Sequence, residues 1–309
     1  MDNREKNIIY DSIIVGGGPA GLTAGIYCAR SRMKVLLIES MKIMSQATMT
    51  DNIENYPGIK AINGFDLVDN FKKQAVSFGL ETYFDTVKNI QKTDDVLWTV
   101  YCNSKSFKTK TIIIATGASS KKLNVPGENE FLGKGVSYCA TCDGAFFKEK
   151  NIIVIGGGDT AVEEALFLTK FGKKVTLIHR RNELRATKIL QERLLSNEKI
   201  DIIWDSVITN INGKNKVEKV IGKNVKTNIE FSVFCDGVFI FVGWIPNTIF
   251  LENLLKKDDK GFIVVDKDMK TSEKGIFACG DCCSKKLKQV ITASSDGAIA
   301  GYCAMEYIG

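Results

Sequence analysis

Histidine is nearly missing from this chain: His179 is the only one in 309 residues. A cluster of imidazoles is therefore excluded. His179 itself ends a strand-like run, where local hydrogen bonding accounts for it better than an acid–base role does. Proline is also scarce, at four residues. No apolar run is long enough to span a bilayer. The longest, Phe231 to Pro246, is interrupted by Asp236. Residues Asp2 to Lys6 are charged, and the apolar stretch after Tyr10 is broken by glycines and Pro19, which is not the pattern of a secretory signal. A cytoplasmic protein is expected. Long basic runs are absent too. The net charge of +6 comes from lysines interleaved with acids, which argues against a nucleic-acid groove and suits an acidic protein partner.

Glycine (27 residues) and cysteine (nine) are what the chain does have. An odd cysteine count in a chain this long, with most cysteines in apolar or mixed segments, argues against a disulfide framework. Cys28, Cys102, Cys235 and Cys303 read as small core or near-surface residues.

The glycines form two turns with one grammar. The apolar run Ser12 to Val15 leads into Gly16-Gly17-Gly18-Pro19-Ala20-Gly21, and a helical pattern follows from Leu22 to Arg30. This is G-x-G-x-x-G between a strand and a helix. Gly16 lets the turn close, Gly18 lets the backbone approach a pyrophosphate, and Gly21 lets helix and strand pack closely. The helix N-terminus supplies N–H donors and the positive end of a dipole. A second strand, Val35 to Ile38, ends at Glu39, 18 residues after Gly21, where a ribose hydroxyl needs an acceptor.

The second turn follows Asn151 to Ile155 and reads Gly156-Gly157-Gly158-Asp159-Thr160-Ala161, with a helical pattern from Val162 to Phe171. Its next strand, Val175 to Ile178, ends in His179-Arg180-Arg181, with Arg185 following. A carboxylate there would repel a 2′-phosphate, whereas guanidinium forks match its geometry. The first site is therefore expected to hold an unphosphorylated adenosine, and the second NADPH rather than NADH. Between the turns lies Cys139-Ala140-Thr141-Cys142, a dithiol that gives a two-electron path a destination.

The expected fold class is α/β, with two Rossmann-like dinucleotide-binding domains. A first unit runs to Gly117, with a helix from Gly64 to Phe78. A middle unit spans residues 118–245 and holds the second turn and the dithiol. The tail, residues 246–309, has a strand before Cys279-Gly280-Asp281 and a helical pattern from Ser294 to Tyr307, but no nucleotide fingerprint of its own. It is expected to rejoin residues 1–117. The middle domain would then be inserted into a discontinuous outer one, with the two crossings as hinges.

Cys139-Ala140-Thr141-Cys142-Asp143-Gly144 between two such fingerprints resembles the low-molecular-weight flavin-dependent thioredoxin reductases. His179-Arg180-Arg181 with Arg185-Ala186 matches their NADPH motif, and Ile276 to Asp281 matches their second flavin motif. Glu54 to Gly58 and Gln289 to Ala293 match flavin-proximal stretches. The resemblance covers essentially the whole chain.

It implies FAD in the outer domain of a three-layer flavoprotein disulfide reductase, NADPH in the inner one, and a homodimer. Electrons would pass from NADPH through FAD to the dithiol and then to thioredoxin. Gln46, Asn55, Gly117, Gly280, Asp281, Lys288, Gln289 and Val290 join the first turn as the implied flavin set, with Asp281 at the ribityl or phosphate region and Gln289 at the isoalloxazine. Cys142 is implied as the flavin-proximal sulfur, Cys139 as the one that attacks the thioredoxin disulfide, and Asp143 as the acid–base residue. Rotation of the inner domain would let the dithiol meet flavin and protein in turn, and Phe146 with Phe147 would form a docking patch. The chain departs from the usual pattern at Met44-Ser45-Gln46, at Lys288 (usually arginine), at Ser295 (usually glycine) and at Ala145 (usually aromatic).

Two other readings compete for these residues. Cys139-x-x-Cys142 and Cys279-x-x-Cys282 have the form of halves of a four-cysteine zinc site, but flavin binding explains Gly280-Asp281 better, so no metal is expected. A flavin disulfide reductase for a peroxiredoxin-like or glutaredoxin-like acceptor is the alternative enzyme.

Overall fold

The computed structural model describes residues 8–40, 45–49 and 53–309, except the side chains of Met49 and Cys142. The N-terminal charged run and Met44 lie outside the described residues.

In chain order, β1 (Ile9–Val15), α1 (Pro19–Arg30), β2 (Val35–Glu39), α2 (Gly64–Ser77), β3 (Glu81–Phe84), β4 (Val87–Lys92), β5 (Trp98–Cys102) and β6 (Ser106–Ile114) precede the crossing strand β7 (Ala118–Ser120). Next come β8 (Val136–Ser137), the short α3 (Ala140–Asp143), β9 (Asn151–Gly156), α4 (Asp159–Leu168), β10 (Lys174–Ile178), α5 (Lys188–Leu195) and β11 (Ile200–Ile203). An antiparallel set, β12 (Ser206–Gly213), β13 (Val217–Asn224) and β14 (Glu230–Phe234), follows, then β15 (Gly237–Phe241). The chain returns through β16 (Trp244–Pro246) to β17 (Ile276–Ala278) and α6 (Val290–Ile308). Two compact units result: Met1–Ser119 with Ile245–Gly309, and Ser120–Trp244. The crossing strands β7 and β16 pair with each other.

The first unit is built on a sheet of order β3-β2-β1-β6, all parallel. The far edge of β6 is divided. Its first half pairs antiparallel with β5, and its second half pairs parallel with β17, in the register Ile112↔Ile276 to Ile114↔Ala278. The near-continuous apolar runs of β1 and β6 follow from burial on both faces. Ile14 and Ile113 enter one core, while Ile13, Ile112 and Ile114 enter the other, as the two-residue period of a strand requires.

The second unit repeats the plan in parallel order β11-β10-β9-β15-β8, with Ile152 and Val154 on one face and Ile153 and Ile155 on the other. In both sheets the order reverses beside the strand that carries the glycine turn, at β1/β6 and β9/β15. Open α/β sheets bind ligands outside the carboxyl ends of strands at such points.

Candidate active site

At the first turn Gly16 has φ +114°, and a methyl group there would overlap the carbonyl oxygen of Ala115 on the neighbouring strand. A methyl at Gly21 would overlap the carbonyl oxygen of Gly16, so the third glycine sets how closely α1 approaches the strand. Pro19 opens α1, and its N-cap Gly18 offers no side-chain cap. The free N–H groups of the first helical turn therefore remain available to an anion. Glu39 ends β2 directly beneath the turn: a Cβ on Gly17 would stand 2.5–2.8 Å from its two carboxylate oxygens. Lys72 of α2 pairs with that carboxylate at 3.3 Å.

The distant tail contributes to the same place. A Cβ on Gly280 would lie 2.8 Å from the Cβ of Ala20, and one on Gly297 would overlap the carbonyl oxygen of Ala20. One turn further along α6, a Cβ on Gly301 would stand 2.8 Å from the carbonyl oxygen of Ala24. Two glycines four residues apart thus let α6 lie against the backbone of α1. Asn55 Nδ2 donates to Gln289 Oε1 at 3.1 Å, joining two expected flavin residues 234 positions apart. Gln289 also caps α6 in a reciprocal box with Thr292, immediately before Val290. Gln46 opens a short 3₁₀ turn that begins one residue after Ser45, whose Oγ faces Gly18.

Asp281 is the telling residue. Its Oδ1 is buried with no hydrogen-bond partner among the described residues, although the Lys285 ammonium lies 3.9 Å away. Burial raises its pKa above the usual carboxylate value, and Lys285 and Lys288 offset part of that shift. Asp296 stabilises the surrounding turn by accepting from the Gly280 N–H at 3.1 Å and from Lys285 Nζ at 2.6 Å. Lys288 donates to the carbonyl oxygens of Asp281 and Cys283 and lies 4.0 Å over the Phe262 ring. An unsatisfied buried carboxylate beside a glycine cradle with free N–H donors fits a ligand that carries both hydroxyls and phosphates, as FAD does. No spacing in the sequence marked Lys285 or Asp296.

The second turn carries different chemistry on the same frame. Gly158 is again an N-cap without a side-chain cap. His179 takes the place of Glu39: a Cβ on Gly157 would lie 2.7 Å from its Nε2, and the ring is 4% exposed. That nitrogen has no hydrogen-bond partner among the described residues, but backbone hydrogen bonds with Glu183 and Gly156 hold the ring locally, as the sequence suggested. Burial lowers the pKa of His179 and favours the neutral ring. The backbone then folds back, with the Arg185 N–H donating to the Gly157 carbonyl at 2.7 Å. Asp159 is committed internally, since its Oδ1 accepts from the Thr187 N–H at 2.7 Å; Thr160 follows it in α4. Arg180, Arg181 and Arg185 are all exposed, and among the described residues no carboxylate pairs with them. Three unpaired guanidinium groups beside an uncapped helix start fit the phosphates of NADPH.

Cys139 is half-buried and disulfide-bonded, at the entrance to α3. Asp143 is half-buried, and its N–H donates to the Cys139 carbonyl at 3.2 Å. Seven other cysteines are free, and all but Cys102 are buried. Burial pushes Cys28 and Cys235 up to about 12 and holds Cys279 well above the ordinary thiol value, so these are poor nucleophiles. The two phenylalanines divide. Phe146 is 76% exposed, whereas Phe147 packs edge-on against Phe239 at 5.3 Å in the core. Among the described residues no helix is long and apolar enough to cross a membrane.

Residues 10–297 match the family model described as pyridine nucleotide-disulphide oxidoreductase. A thioredoxin reductase of Treponema pallidum is 46% identical over 300 residues, covering 97% of each chain. The crystal structure of Lactococcus lactis thioredoxin reductase (FR conformation) matches with a TM-score of 0.94 at 45% identity, covering 97% of this chain and 99% of that one. The T. acidophilum thioredoxin reductase structure matches with a TM-score of 0.92 at 34% identity, covering 98% and 100%. This chain belongs to the pyridine nucleotide-disulphide oxidoreductases and, within them, to the thioredoxin reductases.

Proposed function

We propose that this chain is an NADPH-dependent thioredoxin-disulfide reductase, with FAD held by the first unit, NADPH by the second, and Cys139 with Cys142 as the exit for reducing equivalents. The observation that carries the reading is the exchange beneath two equivalent turns of a carboxylate, Glu39, for a neutral imidazole flanked by free arginines. FAD, when bound, supplies the conversion between hydride and disulfide chemistry that neither NADPH nor a disulfide provides alone.

The chain's own residues do the rest. Glu39 accepts hydrogen bonds from ribose hydroxyls, and the first turn of α1 holds phosphate. Asp281 answers a ligand hydroxyl, and the Asn55–Gln289 pair orients the cofactor. Arg180, Arg181 and Arg185 clamp the 2′-phosphate. Once reduced, the Cys139 thiolate attacks one sulfur of the thioredoxin disulfide, Asp143 manages the proton given to the leaving thiol, and Cys142 resolves the mixed disulfide. Phe146 offers an apolar contact to the partner protein. The enzyme works as a cytoplasmic homodimer, which the resemblance to the family supports and which sedimentation would check.

Stopped-flow mixing with NADPH or NADH, followed by oxidised thioredoxin, tests the reading. Flavin bleaching by NADPH at far lower concentration than by NADH, with reoxidation by thioredoxin, is expected. Bleaching without that reoxidation would remove thioredoxin as substrate and leave the peroxiredoxin-like or glutaredoxin-like acceptors.

A further inference from the structure

Glu128 belongs to a loop that the sequence presents as an ordinary charged turn, Pro126-Gly127-Glu128-Asn129-Glu130. Yet it is 1% exposed. A carboxylate survives such burial only when donors surround it. Glu128 has four. The N–H groups of Leu123, Asn124 and Val125 reach it at 2.8, 2.6 and 3.4 Å, and the Tyr138 hydroxyl reaches Oε1 at 2.5 Å. The loop is itself anchored: the Ile211 N–H on β12 donates to the Pro126 carbonyl at 3.0 Å, and the Val136 N–H donates to the Phe131 carbonyl at 2.9 Å.

Tyr138 immediately precedes Cys139, and Ser137 lies on its other side. Ser137 is 4% exposed; its Oγ accepts from the Cys139 N–H at 3.0 Å and donates to the Cys139 carbonyl at 3.1 Å. Burial and the adjacent Glu128 carboxylate hold the Tyr138 hydroxyl above its usual pKa, so it stays a donor at any working pH. A buried acid, an aromatic hydroxyl and a buried serine therefore hold the backbone that enters the redox cysteine.

We propose that Glu128 and Tyr138 are positioning residues for the dithiol, their hydrogen bond fixing the backbone ahead of Cys139 in the geometry of the closed disulfide. This rests on the reading of Cys139 and Cys142 as the redox couple. Holding one end of a short ring reduces the entropy lost when the ring closes, so the contact favours disulfide over dithiol.

Tyr138→Phe removes one bond and leaves Glu128 its three N–H donors. The holoenzyme is equilibrated in mixtures of reduced and oxidised dithiothreitol and trapped with a maleimide, and Cys139 labelling is scored by peptide mass. Reduction breaks one S–S bond and places two electrons and two protons on the two sulfurs, while dithiothreitol closes to its cyclic disulfide. The exchange constant should move threefold to tenfold toward the dithiol, the upper end corresponding to about 30 mV. The kcat with thioredoxin should fall several-fold at unchanged KM. A Tyr138→Phe enzyme with lower thermal stability but an exchange constant within about twofold of the parent would overturn the proposal and leave the bond merely structural. Ser137→Ala provides a second arm. It should shift exchange the same way, and the double variant should shift by less than the sum, because both residues act on one backbone. Additive shifts would overturn the common route through the backbone at Cys139. A parent enzyme whose Cys139 shows no reversible exchange would overturn this inference together with the reading of the site.

Discussion

The two glycine turns share a frame and differ in what lies beneath it. Each begins after a buried strand, starts a helix at an uncapped glycine, and presses its middle glycine against the residue that ends the next strand. Beneath Gly17 that residue is Glu39, paired with Lys72; beneath Gly157 it is the neutral, buried His179. The frames also differ at their third small residue. Gly21 cannot carry a methyl without striking a main-chain oxygen, whereas Ala161 occupies the equivalent position with its Cβ 2.5 Å from where one on Gly156 would sit. Under the proposed function, the backbone would supply phosphate binding in both turns, and the strand-end side chain would decide which dinucleotide is accepted.

The sharpest break comes from exchanging the third position. Gly21→Ala forces overlap with backbone that cannot yield, and a cost at or above the usual 1–3 kcal/mol of overpacking is expected, giving poorly soluble or colourless protein. Ala161→Gly should cost only about 1 kcal/mol through helix propensity and leave the flavin spectrum intact. Flavin content and urea midpoints measure both.

Next in size is the arginine pair. Arg180→Ala with Arg181→Ala should raise KM for NADPH about 30- to 100-fold and leave NADH almost unchanged, since hydrogen bonds to charged groups contribute roughly 1.5–3 kcal/mol. An equal loss with both cofactors would show that the arginines do not read the 2′-phosphate.

Asp281→Asn comes third. Its folded-state pKa is raised, so the folded protein carries a cost whenever Asp281 is ionised. At pH 7 the variant apoprotein should be more stable than the parent. That advantage should shrink as pH falls through the raised pKa toward the ordinary value of 3.8. FAD affinity, read by fluorescence titration, should drop about tenfold from the lost hydrogen bond.

The smallest effect belongs to His179, whose folded pKa is lowered. Below about pH 6.5 the unfolded chain takes up a proton that the folded ring resists. Stability should therefore fall as pH drops through that value toward the lower folded one, and His179→Gln should flatten the slope. Urea midpoints between about pH 7.5 and 5.5 test this. The first turn offers no counterpart, so the two units should part in their acid sensitivity.

Much of this comparison was legible in the chain, because a glycine turn between apolar strands is a local pattern and Glu39 and Arg180 follow at fixed distances. What was hidden depends on distance or on an interrupted period. The run Phe231 to Pro246 reads as one apolar block, yet β14, β15 and β16 divide it among three sheets. On β12 a register shift between Ile208 and Asn210 buries Ile208 and Ile211, three residues apart, and so masks the alternation of a strand. Glu128 looks like a surface charge because three of its four donors are backbone N–H groups, which no side-chain pattern reveals. Asp296 reaches the flavin motif only because Gly297 and Gly301 let α6 lie flat on α1.

That contact has a consequence for how the protein is made. A nascent chain that has grown to Trp244 already holds every strand of the second unit, while the first still lacks β17, Gly280 and the helix that seats on Ala20 and Ala24. The inserted unit can therefore mature on the ribosome while its host waits, and the proposed flavin site is finished only when the last helix arrives.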